Sequence, residues 1–441
     1  MYPLMKLISN KQLKLLIRKC STAAKINNNN NCKKYSPEIE LIGRKYKTDD
    51  WTNLTSKIIS KLNKNLHTTE YHPLSHVRQK IVNFFYKNYR NKCGNPVFSV
   101  CDNLSPVVSV QQNFDSLLIP GDHVSRSKND CYYVNSDTML RAHTTAHQAE
   151  LIAMGLDNFL IIGDVYRRDE IDATHYPVFH QVDAVRLCTR DEVFKNVNNS
   201  DNLKLFESNG RESDEKQIVH TLEAVKIMEH ELKSVLVGLA QALFGQDVKY
   251  RWVIQYFPFT HPSWELEVFY NDQWIEVLGC GIVRHEILKN CGVTDRIGWA
   301  FGLGLERLAM CFYNISDIRL FWSQDTGFLN QFKFDDPDTP VKYKPISIYP
   351  QLANDISFWL PDNEYSPNDF YDLAREHGGD IIEQITLIDE FTHPKTKKVS
   401  HCYRIIYRHM ERTLTQKEVT SVHTKIQEAA ASELNVTLRI K

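Results

Sequence analysis

The stretch from Ile297 to Tyr313 reads IGWAFGLGLERLAMCFY, and its pattern predicts a short strand that runs directly into a helix. Gly298, Gly302 and Gly304 punctuate the strand, and glycines let a ligand approach the backbone closely. Arg307 follows in the first helical turn, where free amide groups and an arginine together favour an anion. A glycine-spaced packing joint explains the same pattern equally well, so matching chemistry must come from other segments.

Composition and charge describe an ordinary globular chain of two or three domains. Its 441 residues are 42% hydrophobic and 24% charged, which is enough to bury a sizeable core. The formal net charge of −1 gives no overall basic field, so any RNA contact must come from a local patch. The ten cysteines form no Cys-x-x-Cys pair, which favours a reducing compartment over a zinc or disulfide scaffold. No apolar run approaches the roughly 18–20 residues of a membrane span, so no membrane contact is expected.

The N-terminal segment, residues 1–37, is basic and contains no Asp or Glu. Leucines interleave with its Lys and Arg residues, and an asparagine run over 27–31 cannot contribute to a core. This composition is typical of a mitochondrial transit peptide, and a disordered basic tail without a targeting role is the alternative.

The middle of the chain alternates apolar runs with polar turns, which predicts a mixed α+β fold. A β-branched run over 97–110 predicts a strand. Apolar runs at 159–168 and 178–185 predict a long antiparallel hairpin with arginines at its turn. Residues 190–216 are polar and are interpreted as a surface insertion, and residues 217–244 predict the longest helix.

Two segments carry polar groups whose role the pattern leaves open. Thr145 and Gln148 fit a capping box, so a first-turn cap is one interpretation of this segment. Glu276 interrupts an apolar strand, and a carboxylate buried on a strand is costly unless it has a partner. Glu276 is therefore a candidate site residue.

The C-terminal part, residues 346–441, has an order of its own. A proline-rich linker over 336–345 precedes it, and its strands and helices follow the order β-α-β-β-α-β of a ferredoxin-like domain. Arg404 and Arg408 share one face of the third strand, and basic residues occupy the preceding turn. They predict either a basic strip or a solvated charged face.

Three stretches, in order, resemble the signature motifs of class II aminoacyl-tRNA synthetases: Asn113–Pro120, Tyr166–Phe179 and Gly302–Arg307. The sequences NFDSLLIP, HYPVFHQ and GWAFGLGLER are further similar to phenylalanyl-tRNA synthetases. The C-terminal domain resembles the anticodon-binding module of that family. With the basic leader, the whole arrangement resembles its single-chain mitochondrial members.

The resemblance implies a catalytic domain over residues 38–335, built on an antiparallel sheet flanked by helices. It implies ATP-dependent attachment of phenylalanine to tRNA(Phe) through a phenylalanyl-adenylate, with Mg²⁺, in the mitochondrial matrix. It also implies a monomer. The alternative is a catalytically idle paralogue that serves as an RNA-binding or regulatory protein. A P-loop NTPase is excluded, because the chain lacks the Gly-x4-Gly-Lys-[Ser/Thr] motif.

The resemblance also assigns roles to individual residues. Catalytic roles are implied for Arg167 at the α-phosphate, for Arg307 at the γ-phosphate, and for Glu276, which with its neighbours would share Mg²⁺ with the phosphates. The residues implied to bind the amino acid are Thr145, Ala146, His147, Gln148, Gln181, Val182, Asp183, Phe257, Phe259, Ala300 and Phe301. Those implied to bind ATP are Arg167, Thr174, His175, Tyr176, Phe179, Glu276 and Arg307. Those implied to contact tRNA are Lys395, Lys397, Lys398, Arg404 and Arg408. The family usually has Glu where Asp183 stands.

Overall fold

The structure is a computed structural model, and it describes residues 36–345, 349–362 and 365–439. The predicted transit peptide therefore lies almost entirely outside the described residues. Within these ranges, none of the helices combines the length and the apolarity that crossing a bilayer requires.

Sixteen strands are present in the described residues. They are β1 (Glu38–Leu41), β2 (Arg44–Lys47), β3 (Ser99–Cys101), β4 (Val107–Ser109), β5 (Tyr133–Asn135), β6 (Thr138–Leu140), β7 (Asn158–Tyr166), β8 (Val178–Cys188), β9 (Tyr250–Phe257), β10 (Thr260–Tyr270), β11 (Gln273–Val283), β12 (Ile297–Gly304), β13 (Leu352–Trp359), β14 (Ile382–Thr392), β15 (Val399–Tyr407) and β16 (Thr437–Leu438).

The α-helices of the described ranges vary from one turn to six. They are α1 (Ser56–Lys61), α2 (Pro73–Asn88), α3 (Val110–Asn113), α4 (Gln148–Ala153), α5 (Arg190–Phe194), α6 (Leu222–Phe244), α7 (His285–Asn290), α8 (Leu305–Tyr313), α9 (Thr326–Leu329), α10 (Pro367–Gly378) and α11 (Gln416–Glu433). Short 3₁₀ helices span Leu66–Thr68, Asp115–Leu117, Val124–Arg126, Thr144–His147, Ser200–Asn202, Ile318–Trp322, Asn330–Phe332 and Gly379–Ile381.

A seven-stranded sheet in the order β3-β7-β8-β12-β11-β10-β9 forms the centre of the molecule. All neighbours are antiparallel except β3 and β7. Helices α2, α6 and α8 contribute to the large hydrophobic core on one face, where Val182 and Leu303 are buried. Because side chains alternate along a strand, the residues next to these two point to the opposite face.

The predicted hairpin is present as β7 and β8, which pair antiparallel from Asn158–Arg186 to Tyr166–Val178. The opening stretch is β12 followed without a break by α8. Strand β12 lies between β8 and β11, so Gly302 is opposite both Asp183 and Gly279. The stretch is therefore in the middle of the sheet.

The C-terminal elements form a four-stranded antiparallel sheet in the order β14-β15-β13-β16, with α10 and α11 contributing to its core. The order β13-α10-β14-β15-α11-β16 confirms the ferredoxin-like prediction and the α+β class. Pro367 begins α10, where its missing amide hydrogen costs nothing, and Thr415 with Glu418 forms a capping box at the start of α11.

Buried charges join the ferredoxin-like domain to the central sheet. Arg168, just after β7, donates from Nε to Asp372 Oδ2 on α10 at 2.5 Å and from Nη2 to Asp369 Oδ1 at 2.8 Å. Asp372 also accepts from the Tyr132 hydroxyl at 2.7 Å. The arginine turn of the hairpin is therefore an interdomain contact.

Three local predictions are wrong in detail. The strand predicted over 97–110 is two short strands in different sheets, β3 and β4, because one proline and several polar residues interrupt it. The longest helix begins at Leu222, capped by Thr221, because Gln217 uses its side chain elsewhere. The segment 190–216 is more than a surface insertion, since Phe194 belongs to the main core.

Candidate active site

A cavity of about 500 Å³ opens on the face of the sheet away from the main core. Strands β8, β11 and β12 contribute to it, and the turn between β9 and β10 forms one wall. Residues between Phe114 and Cys131, with the helix Thr144–His147, line the other side. The same strands thus supply core side chains on one face and cavity side chains on the other.

The three glycines of β12 are there for different reasons. A Cβ on Gly298 would lie 2.6 Å from the Arg186 carbonyl oxygen, so this glycine permits close packing against β8. A Cβ on Gly302 would lie 2.7 Å from Asp183 Oδ1. A Cβ on Gly304 would meet no atom within 4 Å, and this glycine is the N-cap of α8. Only Gly302 directly makes room for a side chain of the cavity.

Asp183 is the buried carboxylate of the cavity, with 6% of its surface exposed. Burial raises its pKa to about 6, although the hydrogen bond from the Thr145 hydroxyl acts in the opposite direction. Thr145 is therefore a partner of Asp183, and the predicted capping box with Gln148 is wrong. An ammonium group fits here, since an ion pair offsets the cost of the buried charge.

Two amide side chains beside Asp183 have buried atoms without a hydrogen-bond partner among the described residues. These atoms are Gln148 Nε2 and Gln181 Oε1, and both residues line the cavity. Buried polar atoms are nearly always paired, so these two mark the place of a polar ligand. A free donor and a free acceptor beside a carboxylate match the two charged groups of an amino acid.

The opposite part of the cavity is aromatic. Phe257 and Phe259 line it with ring centres 5.8 Å apart and an interplanar angle of 14°. A Cβ on Gly279 would lie 2.8 Å from the ring of Phe257, so this glycine leaves space for the phenylalanine. Ala300 and Phe301 of β12 also line the cavity, and Ala300 is 7% exposed. This wall suits an apolar, flat group.

Arg167 lines the cavity beside Phe179, which does not itself line it. Its Nε donates to the Ala142 carbonyl oxygen at 2.8 Å, and its guanidinium lies 5.2 Å from the ring centre of Phe179. Among the described residues only the Nε atom of this guanidinium is hydrogen-bonded, which leaves both Nη groups for an anion.

Arg307 and Glu276 stand at the solvent side of the site. Nη1 of Arg307 lies 3.4 Å from Glu276 Oε2, and the two side chains are 56% and 48% exposed. The expectation of a buried Glu276 is wrong, because its strand face opens to solvent. Glu276 lines the cavity, and Arg307 is positioned beside it by this pair.

Three residues predicted for the amino-acid site do not line the cavity. Val182 is fully buried in the main core, because alternation along β8 turns it away from Gln181 and Asp183. Ala146 belongs to a small hydrophobic cluster, and His147 packs beneath the wall with its Nε2 3.1 Å from Arg141 Nη1.

The hairpin-loop residues predicted to bind ATP also lie outside the cavity. The Tyr176 hydroxyl donates to Asp380 of the ferredoxin-like domain at 2.7 Å. Thr174 and His175 are hydrogen-bonded to Asp172. His175 and Tyr176 line a second cavity, of about 220 Å³, between this loop and the ferredoxin-like domain.

Sequence reasoning missed three features of the site. His143 and Glu265 line the cavity, and no periodicity singles either of them out. Arg141 and Asp164 form a buried ion pair beneath it, with N and O 2.6 Å apart and side chains 2% and 4% exposed. A signal for that pair was available, because Asp164 interrupts an apolar strand and a buried charge requires a partner.

The predicted basic strip is only partly available. Lys395, Lys397 and Lys398 are exposed in the β14–β15 turn. Arg404 makes two hydrogen bonds to Asp355, at 2.8 and 2.9 Å. Arg408 lies just beyond β15 and pairs with Glu383 at 2.6 Å, with 22% of its side chain exposed. The two arginines are largely neutralised, whereas the lysines of the turn are not ion-paired among the described residues.

Comparisons with known proteins match both parts of the chain. The model of the tRNA synthetases class II core domain (F) matches residues 57–201 and 216–332, and that of the ferredoxin-fold anticodon binding domain matches residues 347–439. The chain belongs to the class II phenylalanyl-tRNA synthetases. The class II synthetase sheet and the C-terminal module that the sequence predicted are therefore confirmed.

Three curated relatives of this synthetase span almost its whole length. A probable mitochondrial phenylalanine–tRNA ligase of Drosophila melanogaster is 59% identical over 91% of this chain and 93% of its own. The mitochondrial phenylalanine–tRNA ligase of Mus musculus is 54% identical over 90% and 88%, respectively. That of Saccharomyces cerevisiae is 37% identical over 91% and 95%.

Proposed function

We propose that the chain is a mitochondrial phenylalanine–tRNA ligase. The observation that carries the proposal is one cavity in which a buried carboxylate, two unpaired amide atoms and an aromatic wall face each other beside two arginines. The curated relatives support the same activity and the mitochondrial location. The matrix is the proposed compartment, and a monomer is the proposed oligomeric state.

The reaction proceeds in two steps. The phenylalanine carboxylate attacks the α-phosphorus of ATP, the bond to the β-phosphate oxygen breaks, and phenylalanyl-adenylate and pyrophosphate form. The 2′-hydroxyl of the terminal tRNA adenosine then attacks the adenylate carbonyl, loses its proton, and AMP leaves. Positioning and charge stabilisation carry such transfers, so no side-chain nucleophile is required.

Each half of the cavity takes one half of the amino acid. Asp183 and Gln181 accept from the ammonium group, while Gln148 and Thr145 line the same polar end. Phe257 and Phe259 contact the phenyl ring, and edge-to-face contacts of this kind contribute about 0.5–1.5 kcal/mol each beyond burial. The small side chain of Ala300 leaves room in the pocket for the phenyl ring.

The phosphates of ATP lie along the two arginines. The free Nη groups of Arg167 hold the α-phosphate, where negative charge grows in the transition state. Arg307 holds the γ-phosphate at the exposed side, and Phe179 stacks on the adenine. Arg167 also contacts the ring of Phe179, so one stack orders the adenine platform and the α-phosphate group together.

Mg²⁺ accompanies ATP in this proposal. Glu276 is half exposed beside Arg307, and Glu265 lines the same cavity, so carboxylate oxygens are present where a hard cation needs them. Bound there, Mg²⁺ would neutralise phosphate charge.

The tRNA contact is proposed for the ferredoxin-like domain. Lys395, Lys397 and Lys398 offer unpaired positive charge, and Arg404 adds a partly neutralised one on the open face of the sheet. Arg408 contributes less, because Glu383 and burial hold it. The alternative of an idle, RNA-binding paralogue finds no support, since Arg167, Arg307 and Glu276 are all in place.

Charging of tRNA tests this function. The chain is incubated with radiolabelled phenylalanine, ATP, Mg²⁺ and mitochondrial tRNA, and acid-precipitable label is counted. ATP-dependent labelling that vanishes in the Arg167→Gln variant is expected. A well-folded chain that binds tRNA without charging it would instead be the idle paralogue.

A further inference from the structure

The aromatic wall of the cavity is held from behind by a segment outside the sheet. The turn between β9 and β10, residues 257–260, carries both phenylalanines and pairs with the end of β11 through Thr260 and Val283. The backbone amide of Arg284 donates to the Phe259 carbonyl oxygen at 3.0 Å. Contacts that hold residues 261 and 283–285 in place therefore also hold the two phenylalanine rings in place.

Gln217 connects these positions. Its Nε2 donates to the backbone carbonyl oxygens of His261 at 2.8 Å and of Val283 at 3.0 Å. Its Oε1 accepts from the backbone amide of His285 at 2.8 Å. Gln217 is 5% exposed, so one buried amide side chain ties together the strand that leaves the aromatic turn and the end of β11.

The residues before Gln217 add two further contacts to the same place. His261 Nε2 donates to the Ser213 carbonyl oxygen at 2.7 Å, and Arg284 Nη1 pairs with Glu212 Oε1 at 2.7 Å. Glu212 and Ser213 fall in residues 202–215, the interval between the two segments that match the synthetase core. The contacts therefore come from a part of this chain that the synthetase core model does not match.

The segment is itself well anchored. Phe206 lies against His220 and His285, with ring centres 5.7 and 4.8 Å apart. His220 is fully buried, and burial lowers its pKa to about 3, so it packs as a neutral ring. An anchored segment can hold its neighbour in place, whereas a mobile one cannot.

We infer that residues 212–217 act as a specificity brace for the amino acid, with Gln217 as the positioning residue and Glu212 as its support. The brace holds the turn of Phe257 and Phe259 at a fixed distance from Ala300, so that the pocket fits phenylalanine and resists widening for larger rings. This inference rests on the proposed function, because it assigns the phenyl ring to that wall.

The test compares variants of the full-length enzyme in phenylalanine- and tyrosine-dependent ATP–pyrophosphate exchange. Gln217→Glu keeps the size and the acceptor but loses both donors. We expect its KM for phenylalanine to rise about tenfold, equivalent to about 1.4 kcal/mol. The preference for phenylalanine over tyrosine should fall, and the KM for ATP should stay within about twofold, because Arg167 and Arg307 are untouched.

Glu212→Gln and Glu207→Gln form a matched pair that is independent of any folding defect in the first variant. Both remove a partly exposed ion pair from the same segment, but only Glu212 reaches the pocket through Arg284. Glu212→Gln should raise the KM for phenylalanine about threefold, a small effect typical of such pairs, and Glu207→Gln should leave it unchanged.

The outcomes separate the inference from the proposed function. No phenylalanine-dependent exchange by the wild-type enzyme would remove the proposed function and the inference with it. Wild-type exchange with an unchanged KM for phenylalanine in Gln217→Glu and Glu212→Gln would overturn the brace alone. Equal rises in the KM values for phenylalanine and ATP would also overturn it, since they would indicate a general loss of structure.

Discussion

Asp183 sits where burial raises its pKa to about 6. If it holds the substrate ammonium, it must be ionised to do so, and below its pKa it becomes neutral. The KM for phenylalanine should therefore rise as the pH falls through 6, by roughly tenfold for each further pH unit. Exchange kinetics across this range measure the effect.

Asp183→Asn is the control for that pH profile. It should have a high KM for phenylalanine at every pH, without the inflection near 6. An inflection of the same size in the variant would show that another group, and not this carboxylate, titrates.

At the scale of single residues, the sequence identified the segments that form the site better than it identified which side chains of those segments face the cavity. Arg167, Gln181 and Asp183 line the cavity as predicted. Val182 does not, although strand alternation could have excluded it from the same sequence. The sequence could not predict whether the side chain of Glu276 is buried. A carboxylate on an apolar strand gives the same sequence pattern whether its face packs on a core or lines an open cleft.

At the scale of elements, two glycines of strand β12 differ in the space that surrounds them. Gly302→Ala would place a Cβ 2.7 Å from Asp183 Oδ1, whereas Gly304→Ala would meet nothing within 4 Å. We expect Gly302→Ala to raise the KM for phenylalanine by at least about tenfold, since the carboxylate proposed to bind the ammonium group must shift. Gly304→Ala should leave this KM nearly unchanged. Similar KM values in the two variants would contradict the assignment of Asp183.

The elements themselves were readable where periodicity was strong. The β7–β8 hairpin and the order of the six elements of the ferredoxin-like domain follow directly from the sequence pattern. The start of α6 could not be predicted from the sequence. Gln217 continues the helical pattern, but its side chain forms hydrogen bonds with three backbone groups outside the helix. Tertiary hydrogen bonds of this kind leave no periodic trace.

At the scale of the whole molecule, the domains are joined by a buried cluster of charges around Asp372. Replacing it by Asn removes the buried charge that faces Arg168 and leaves only the more exposed Asp369 as its charged partner, and breaking a buried pair costs up to about 3–5 kcal/mol. Asp355→Asn breaks a comparable Arg–Asp pair on the exposed sheet, which should cost about 0–1 kcal/mol. Chemical unfolding of both variants measures the difference, and equal losses of stability would contradict the role of Asp372 in joining the domains.

The lysine turn of the ferredoxin-like domain should matter for only one of the two reaction steps. Replacing Lys395, Lys397 and Lys398 by Ala removes three exposed charges far along the chain from the cavity residues. We expect the KM for tRNA to rise, with a weaker salt dependence, while exchange without tRNA is unchanged. Unaltered charging kinetics in this variant would place the tRNA contact elsewhere.

The central claim is that a single cavity activates phenylalanine with ATP. Amino-acid-dependent ATP–pyrophosphate exchange, measured in parallel with each of the twenty amino acids, tests it most directly. Exchange should be strong with phenylalanine, weak with tyrosine, absent with the others, and abolished for all in Arg167→Gln. Exchange driven by a different amino acid, or none with phenylalanine, would contradict the claim.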